Sequence, residues 1–141
     1  MKQIRIKLMS GGKAPVYKTA GAACADCYAR LDEDVVIHTG KRAIIPLGFA
    51  IELPEGYEAV IRPRSGLSKD CIDEVIGTID CDFRNEIGAL VVNNSGVPIA
   101  IHNGDRICQL KIQQAEQFNF VAVTELSNTA RGMSGWGSTG V

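Results

Sequence analysis

Eight short runs of β-branched or aliphatic residues, set apart by glycine, asparagine or proline turn signals, leave this 141-residue chain few folds to adopt. Ile4, Ile6 and Leu8 alternate with polar neighbours, and Val35–Ile37, Ala43–Ile45, Phe49–Ile51, Tyr57–Ile61, Ile87–Val92, Ile99–Ile101 and Ile107–Ile112 follow. The lengths and residue types are those of strands. Between them stand Gly11-Gly12, Thr39-Gly40, Leu53-Pro54-Glu55-Gly56, Asn93-Asn94-Ser95-Gly96 and Asn103-Gly104-Asp105, all turn-forming sequences. The spacing predicts an all-β protein, a jelly-roll-like sandwich or barrel of short strands, and leaves no room for alternating βαβ units. Only Ser65 to Asp70 reads as a helical turn, with Ser65 as its N-cap.

The length suits one domain that buries roughly two thirds of its unfolded surface. Formal net charge is −1, so no basic field attracts nucleic acid, and any phosphate binding must be local. The N-terminus alternates polar and apolar residues with no long apolar run, which predicts neither secretion nor a membrane span. The expected location is the cytoplasm or, for a viral or phage protein, the host cytoplasm or nucleus. Five cysteines, an odd count, fit free thiols in a reducing space. Cys24 and Cys27 form a lone C-x-x-C with no second pair to complete a zinc site, so small buried side chains are expected there. His38 and His102 read as ordinary surface or turn residues.

The last eleven residues, Arg131 to Val141, follow the final strand and have little to bury among themselves. A frayed end is the common fate of such a tail. Its chemistry is nevertheless that of a clasp. Glycines admit close approach of backbone N–H groups to an anion, Arg131, Ser138 and Thr139 add donors, and Trp136 offers a flat face for a ring. The expected organisation is therefore a β domain over residues 1–126 and a lid over 127–141 within one chain.

Three internal segments carry further chemistry. Arg62-Pro63-Arg64-Ser65-Gly66-Leu67 leaves a strand and enters the helical turn. It is either a capped turn with solvated arginines or a small anion site. In Gly77-Thr78-Ile79-Asp80-Cys81-Asp82-Phe83-Arg84, an extended backbone would place Asp80 and Asp82 on one face and Ile79, Cys81 and Phe83 on the other. That pattern describes a solvent-facing hairpin, or a carboxylate fixed to orient a water beside an aromatic ring that packs on a sugar. In Asn103-Gly104-Asp105-Arg106-Ile107-Cys108-Gln109-Leu110, Asp105 and Arg106 read as a structural salt bridge. Gln109, an amide within an apolar strand, requires a partner, and a phosphate oxygen would serve.

With these segments in view the chain resembles the trimeric dUTPase family, whose members hydrolyse dUTP to dUMP and pyrophosphate. Five short family motifs occur in order. They are Ala20 to Cys27, Arg64-Ser65-Gly66-Leu67, Gly77 to Arg84, Gly104 to Leu110, and the tail. The resemblance implies that Asp80 holds and partly deprotonates the water that attacks the α-phosphorus. Arg64, Ser65 and Gly66 would bind the phosphate chain, with Ser65 near the α–β bridge, and Gln109 would contact phosphate. Asp26 would organise the arginine network and the waters of a Mg²⁺ ion held mainly by the triphosphate. Phe83 would pack on deoxyribose and exclude a 2′-hydroxyl. Backbone groups of Ile76, Gly77, Thr78 and Ile79 would read the uracil edge, Trp136 would stack on the base, and Arg131, Gly137, Ser138 and Thr139 would close over the γ-phosphate. The resemblance also implies a homotrimer in which three subunits build each site and the tail crosses to a neighbour.

Departures from the family pattern are Phe83 in place of tyrosine, Asn85 and Cys24 in place of glycines, Trp136 in place of phenylalanine and Ser134 in place of a tail glycine. Asn85 is expected to take up the left-handed conformation more readily than other residues would. Glu74 stands where the family often has an amide that contacts the base. Two other functions fit the same fold. One is a dCTP deaminase, which depends on a glutamate in a motif absent here; the other is a nucleotide-gated regulatory protein that recruits a protein partner, and it would often lack the carboxylate kept at Asp80.

Overall fold

The computed structural model describes residues 2–135. Eleven strands follow in order: β1 (Arg5–Leu8), β2 (Ala25–Tyr28), β3 (Val35–Ile37), β4 (Arg42–Pro46), β5 (Phe49–Glu52), β6 (Tyr57–Arg62), β7 (Ile72–Glu74), β8 (Gly77–Ile79), β9 (Gly88–Asn93), β10 (Ile99–Ile101) and β11 (Arg106–Gln114). One short helix, α1 (Ser65–Ser68), lies between β6 and β7. All pairings are antiparallel and form four small sheets ordered β1-β5, β10-β3, β2-β11-β6-β8 and β4-β9-β7. Among the described residues, regular structure ends at Gln114.

The alternating pattern sorts each strand into a core face and an outer face. In β9, Ala89, Val91 and Asn93 are buried while Gly88 is exposed, as alternation requires. The core gathers Phe49, Ile45, Leu47, Ile37, Ile61, Val91 and Ile107, all almost fully buried, from every sheet but the β1 edge. Cys27 and Cys108 face each other across β2 and β11, both completely buried, so this half of the C-x-x-C is core packing. Asn93 is a buried polar residue with every need met. Its amide nitrogen donates to Ile37 O and Val97 O, both at 2.8 Å, and its oxygen accepts the Ser95 N–H and hydroxyl.

Two glycines permit a close backbone crossing. Gly48 sits at φ 74°, and a Cβ at Gly12 would stand 1.9 Å from Gly48 O. Neither position tolerates a side chain.

Some local expectations are corrected. Ser65 is the first helical residue instead of the N-cap; Arg64 occupies the cap position, and no side chain caps the helix. Asn85 does not adopt positive φ: Cys71, at φ 60°, is the one non-glycine residue to do so among the described residues. Asn85 instead turns its side chain to accept the Glu86 N–H at 2.8 Å.

Candidate active site

The four-stranded sheet β2-β11-β6-β8 organises the chemistry. Its inner face carries Cys27, Cys108, Leu110, Ile61, Ala59 and Ile79 into the core. The outer face brings Asp26, Gln109 and Arg62 into one row, because Gln109 pairs with Asp26 on one side and Arg62 on the other. Arg106 would face the core by strict alternation with Cys108. The β11–β2 register slips between Arg106 and Cys108, a bulge that turns the guanidinium to the outer face instead.

The result is a compact charged cluster. Gln109 Nε2 donates to Asp26 Oδ1 and Arg106 Nη1 to Asp26 Oδ2, each at 3.0 Å. Asp26 is 5% exposed. Burial pushes its carboxyl up, but the hydrogen bonds from Gln109 and Arg106 and the charges of Arg64 and Arg106 together outweigh it and hold it below the usual carboxylate range. Arg64 joins through its guanidinium, which donates to the Arg106 carbonyl. The expected Asp105–Arg106 salt bridge is not formed. Arg106 reaches back eighty residues to Asp26, while Asp105 Oδ2 accepts the His102 N–H at 2.8 Å and closes its own turn. His102 also lies 2.8 Å from Asp34, in the loop between β2 and β3.

Above this cluster the strand β6 runs into the turn at Arg64-Ser65-Gly66. Ser65 and Gly66 are exposed, and a Cβ at Gly66 would meet nothing within 4 Å, so the turn offers its backbone to solvent. Arg64 N–H donates to Glu74 Oε2 at 3.1 Å, which fastens the turn to β7. Glu74 is therefore not directed at the cleft described next; its side chain points inward, with 3% of the residue exposed.

A second feature lies at the far edge of the sheet, beyond β8. A cleft of about 190 Å³ is walled by Ile61, Gly77, Thr78, Ile79, Asp80, Phe83, Glu86, Ile87 and Gly88. The chain leaves β8 at Ile79 and turns at once, with Phe83 N–H donating to Asp80 O at 3.1 Å. The extended alternation expected over residues 79–83 is thus replaced by a turn, and Asp80 and Phe83 both come to the cleft wall instead of opposite faces. Asp80 is exposed and Phe83 is 42% exposed. Ile76 is 66% exposed and stands outside the cleft. Glu86 is a wall residue that sequence reasoning did not single out; its Oε1 accepts the Gly48 N–H at 2.9 Å, which ties the cleft to the β5 entry.

The structure thus brings Gly77, Thr78, Ile79, Asp80 and Phe83 together at the cleft, and Asp26, Arg64 and Gln109 together at the charged cluster with Ser65 and Gly66 beside them. Among the described residues, no hydrogen bond or ion pair joins the two groups. Arg131 Nε donates to Ser134 O at 2.9 Å within its own turn. Trp136, Gly137, Ser138 and Thr139 lie outside the described residues.

Comparison with known proteins gives the family. The family model for dUTPase matches residues 11–140. The chain belongs to the dUTPase family. It is 43% identical to the deoxyuridine 5′-triphosphate nucleotidohydrolase of Treponema denticola, covering 99% of both chains. It is 42% identical to the enzyme of that name from Rhizobium rhizogenes, over 98% of this chain and 92% of the relative. In three dimensions it superimposes on the dUTPase of Staphylococcus bacteriophage 80alpha, solved with dUpNHpp, with a TM-score of 0.92 at 24% identity over the whole of both chains. A dUTPase from S. aureus phage phi11, described with a coordinated structural Mg(II) ion, aligns with a TM-score of 0.82 at 21% identity, over 90% of this chain and 100% of that one. At those identities the likeness speaks to the fold, which is that of the dUTPases.

Proposed function

We propose that this chain hydrolyses dUTP to dUMP and pyrophosphate, with Asp80 activating the attacking water and the Asp26–Arg64–Arg106–Gln109 cluster receiving the phosphates. The activity is the one named for relatives that match nearly the full length at 42–45% identity. The observation that carries the assignment of residues is the cleft at β8. It is small, its wall includes Gly77–Ile79 and Phe83, and it bears the exposed residue Asp80.

In this reading the backbone of Gly77 to Ile79 pairs with the edge of uracil and Phe83 covers the deoxyribose. Asp80 accepts a proton from the water as its oxygen bonds to the α-phosphorus; the bond from that phosphorus to the bridging oxygen breaks, and pyrophosphate leaves with the electron pair. Catalysis is then positioning and charge stabilisation, with no covalent intermediate. Ser65 and the arginines meet charge developing near the bridge.

Mg²⁺ fits the residues present in a specific way. Among the described residues no three His, Cys, Asp or Glu side chains converge as a metal cage. A single carboxylate, Asp26, stands in the phosphate cluster and is held ionised. That donor set suits a hydrated ion carried on the triphosphate, because Mg²⁺ keeps several waters and takes few protein ligands. Bound there, Mg²⁺ would neutralise phosphate charge and orient the chain of phosphates. Asp26 would hold its waters.

The separation of the cleft from the charged cluster within one chain supports the homotrimer. An assembly that sets one subunit's cluster against the next subunit's cleft completes a site that neither chain completes alone, and the tail from Arg131 onward closes over it. The test is pyrophosphate release with Mg²⁺ from dUTP, UTP, dTTP and dCTP in parallel: release confined to dUTP is expected, and release from UTP or dCTP at a comparable rate would overturn the reading.

A further inference from the structure

Three polar or charged residues of the described chain are buried: Asp26, Asn93 and Glu74. The first two are fully partnered, as described above. Glu74 is not. Its Oε2 accepts the Arg64 N–H, while Oε1 is buried with no hydrogen-bond partner. Such a group is costly to bury, and the strand it ends needs no carboxylate, since its pairing with Val91 is made through the backbone. What the side chain does is reach from β7 to the turn before α1. That turn has no side-chain cap; its carbonyls are held by the four-residue helix that follows, and its Arg64 N–H by Glu74. The guanidinium of Arg64 is aimed by the Arg106 carbonyl, and its N–H by Glu74.

We propose that Glu74 is a positioning residue for the triphosphate: packed beneath the turn, its carboxylate fixes the Arg64 N–H and so sets the aim of Arg64 and Ser65 at the phosphates. The inference rests on the reading of this turn as the phosphate site.

The strength of that grip depends on the charge of the carboxylate, because a hydrogen bond to an ionised acceptor is about twice as strong as one to a neutral acceptor. Burial, with a contribution from Asp73 on the same strand, pushes the Glu74 carboxyl up to about 7, against the backbone N–H groups of Arg64 and Glu74 and the Arg64 charge. The groups that face it are Asp73 from β7, Arg64 from the turn, and from β11 the Cys108 thiol, which is itself pushed up by Cys27, by burial and by the Glu74 charge. β9 and α1, also packed here, carry no titratable side chain. Glu74 is thus neutral at mildly acidic pH and ionised above neutrality, and glutamine imitates its neutral form.

The experiment compares the parent and Glu74→Gln for KM and kcat with dUTP and Mg²⁺ from pH 5.5 to 8.5, with Ser65→Ala as a control for the phosphate site. NMR titration with deoxyuridine, which has no phosphates, reads the base cleft alone. The KM ratio of variant to parent should be near one at pH 5.5 and rise to about tenfold above pH 7.5, the difference between a charged and a neutral acceptor. The effect should fall on KM more than kcat, with deoxyuridine binding unchanged, and Glu74→Ala should show the raised KM at every pH. A ratio flat with pH, a lower KM for Glu74→Gln above pH 7, or an equal loss of deoxyuridine binding would overturn the role of Glu74. If Ser65→Ala loses dUTP and Glu74→Gln does not, only this inference fails; if Ser65→Ala is also silent, the assignment of the phosphate site fails with it.

Discussion

Replacing Asp26 by asparagine removes one charge from the best-formed polar cluster of the molecule while keeping its size. The carboxylate accepts two hydrogen bonds at 3.0 Å, from Gln109 and Arg106. Asparagine has one acceptor oxygen, so one donor must face the new amide N–H₂ group. A lost bond to a charged group is worth roughly 1.5–3 kcal/mol. The Arg106 side chain is 46% exposed, which moves the value to the lower half of that range. The expected loss is about 2 kcal/mol at pH 7, or about 6 °C in Tm for a chain of this size. The pH dependence gives a second check. The Asp26 carboxyl is held below its usual value of 3.8 in the folded protein, so its contribution is fully present above that value and disappears as pH falls through the folded value. Urea unfolding of parent and variant at fixed protein concentration should therefore show the full gap at pH 7 and at pH 5 and a shrinking one below pH 4. A gap below 0.5 kcal/mol at pH 7, or one that grows on acidification, would refute the reasoning.

Other consequences are as direct. Glu74 is the opposite electrostatic case: its carboxyl is raised, so its contribution to stability is present below about 4.5 and is lost as pH rises to about 7. Glu74→Gln should therefore gain on the parent by up to about 3 kcal/mol between pH 4 and pH 8 in thermal unfolding, and an unchanged difference would contradict the burial argument. Gly12→Ala should cost at least about 2 kcal/mol, since its Cβ would meet the backbone oxygen of Gly48 and not a side chain that can move away. Phe83→Ala should lower kcat/KM for dUTP and raise the relative rate with UTP, read by pyrophosphate release from each nucleotide. Removing Arg131 to Val141 should depress turnover strongly and leave unfolding by circular dichroism unchanged, because among the described residues regular structure ends at Gln114.

The strands rich in valine and isoleucine are legible from their residues, and for Val35–Ile37 and Ile99–Ile101 both ends coincide with the expected ones. β2 and β7 are not, because Ala-Asp-Cys-Tyr and Ile-Asp-Glu lack the β-branched run that marks a strand, and their formation depends on pairing with β11 and β9. The turn at Asp80 was hidden by a sequence that alternates as a strand would; the hydrogen bond from Phe83 to Asp80 breaks the alternation. Gln109, an amide in an apolar strand, signals its need for a partner, but local sequence offers no means to find it. The partner is Asp26, eighty-three residues away, and only the register of β2 on β11 brings the two together. The adjacent pair Asp105–Arg106 was misleading for the same reason, since a bulge turns Arg106 towards Asp26. Motifs named the residues; cross-strand register decided which of them meet.

The most direct measurement is made on Asp80→Asn, following pyrophosphate release from dUTP with Mg²⁺ alongside dUTP binding by calorimetry. Loss of a positioned base should lower kcat by about 10²–10⁴-fold while the dissociation constant stays within a few-fold of the parent. A variant that binds dUTP and turns it over at the parent's rate would contradict the account.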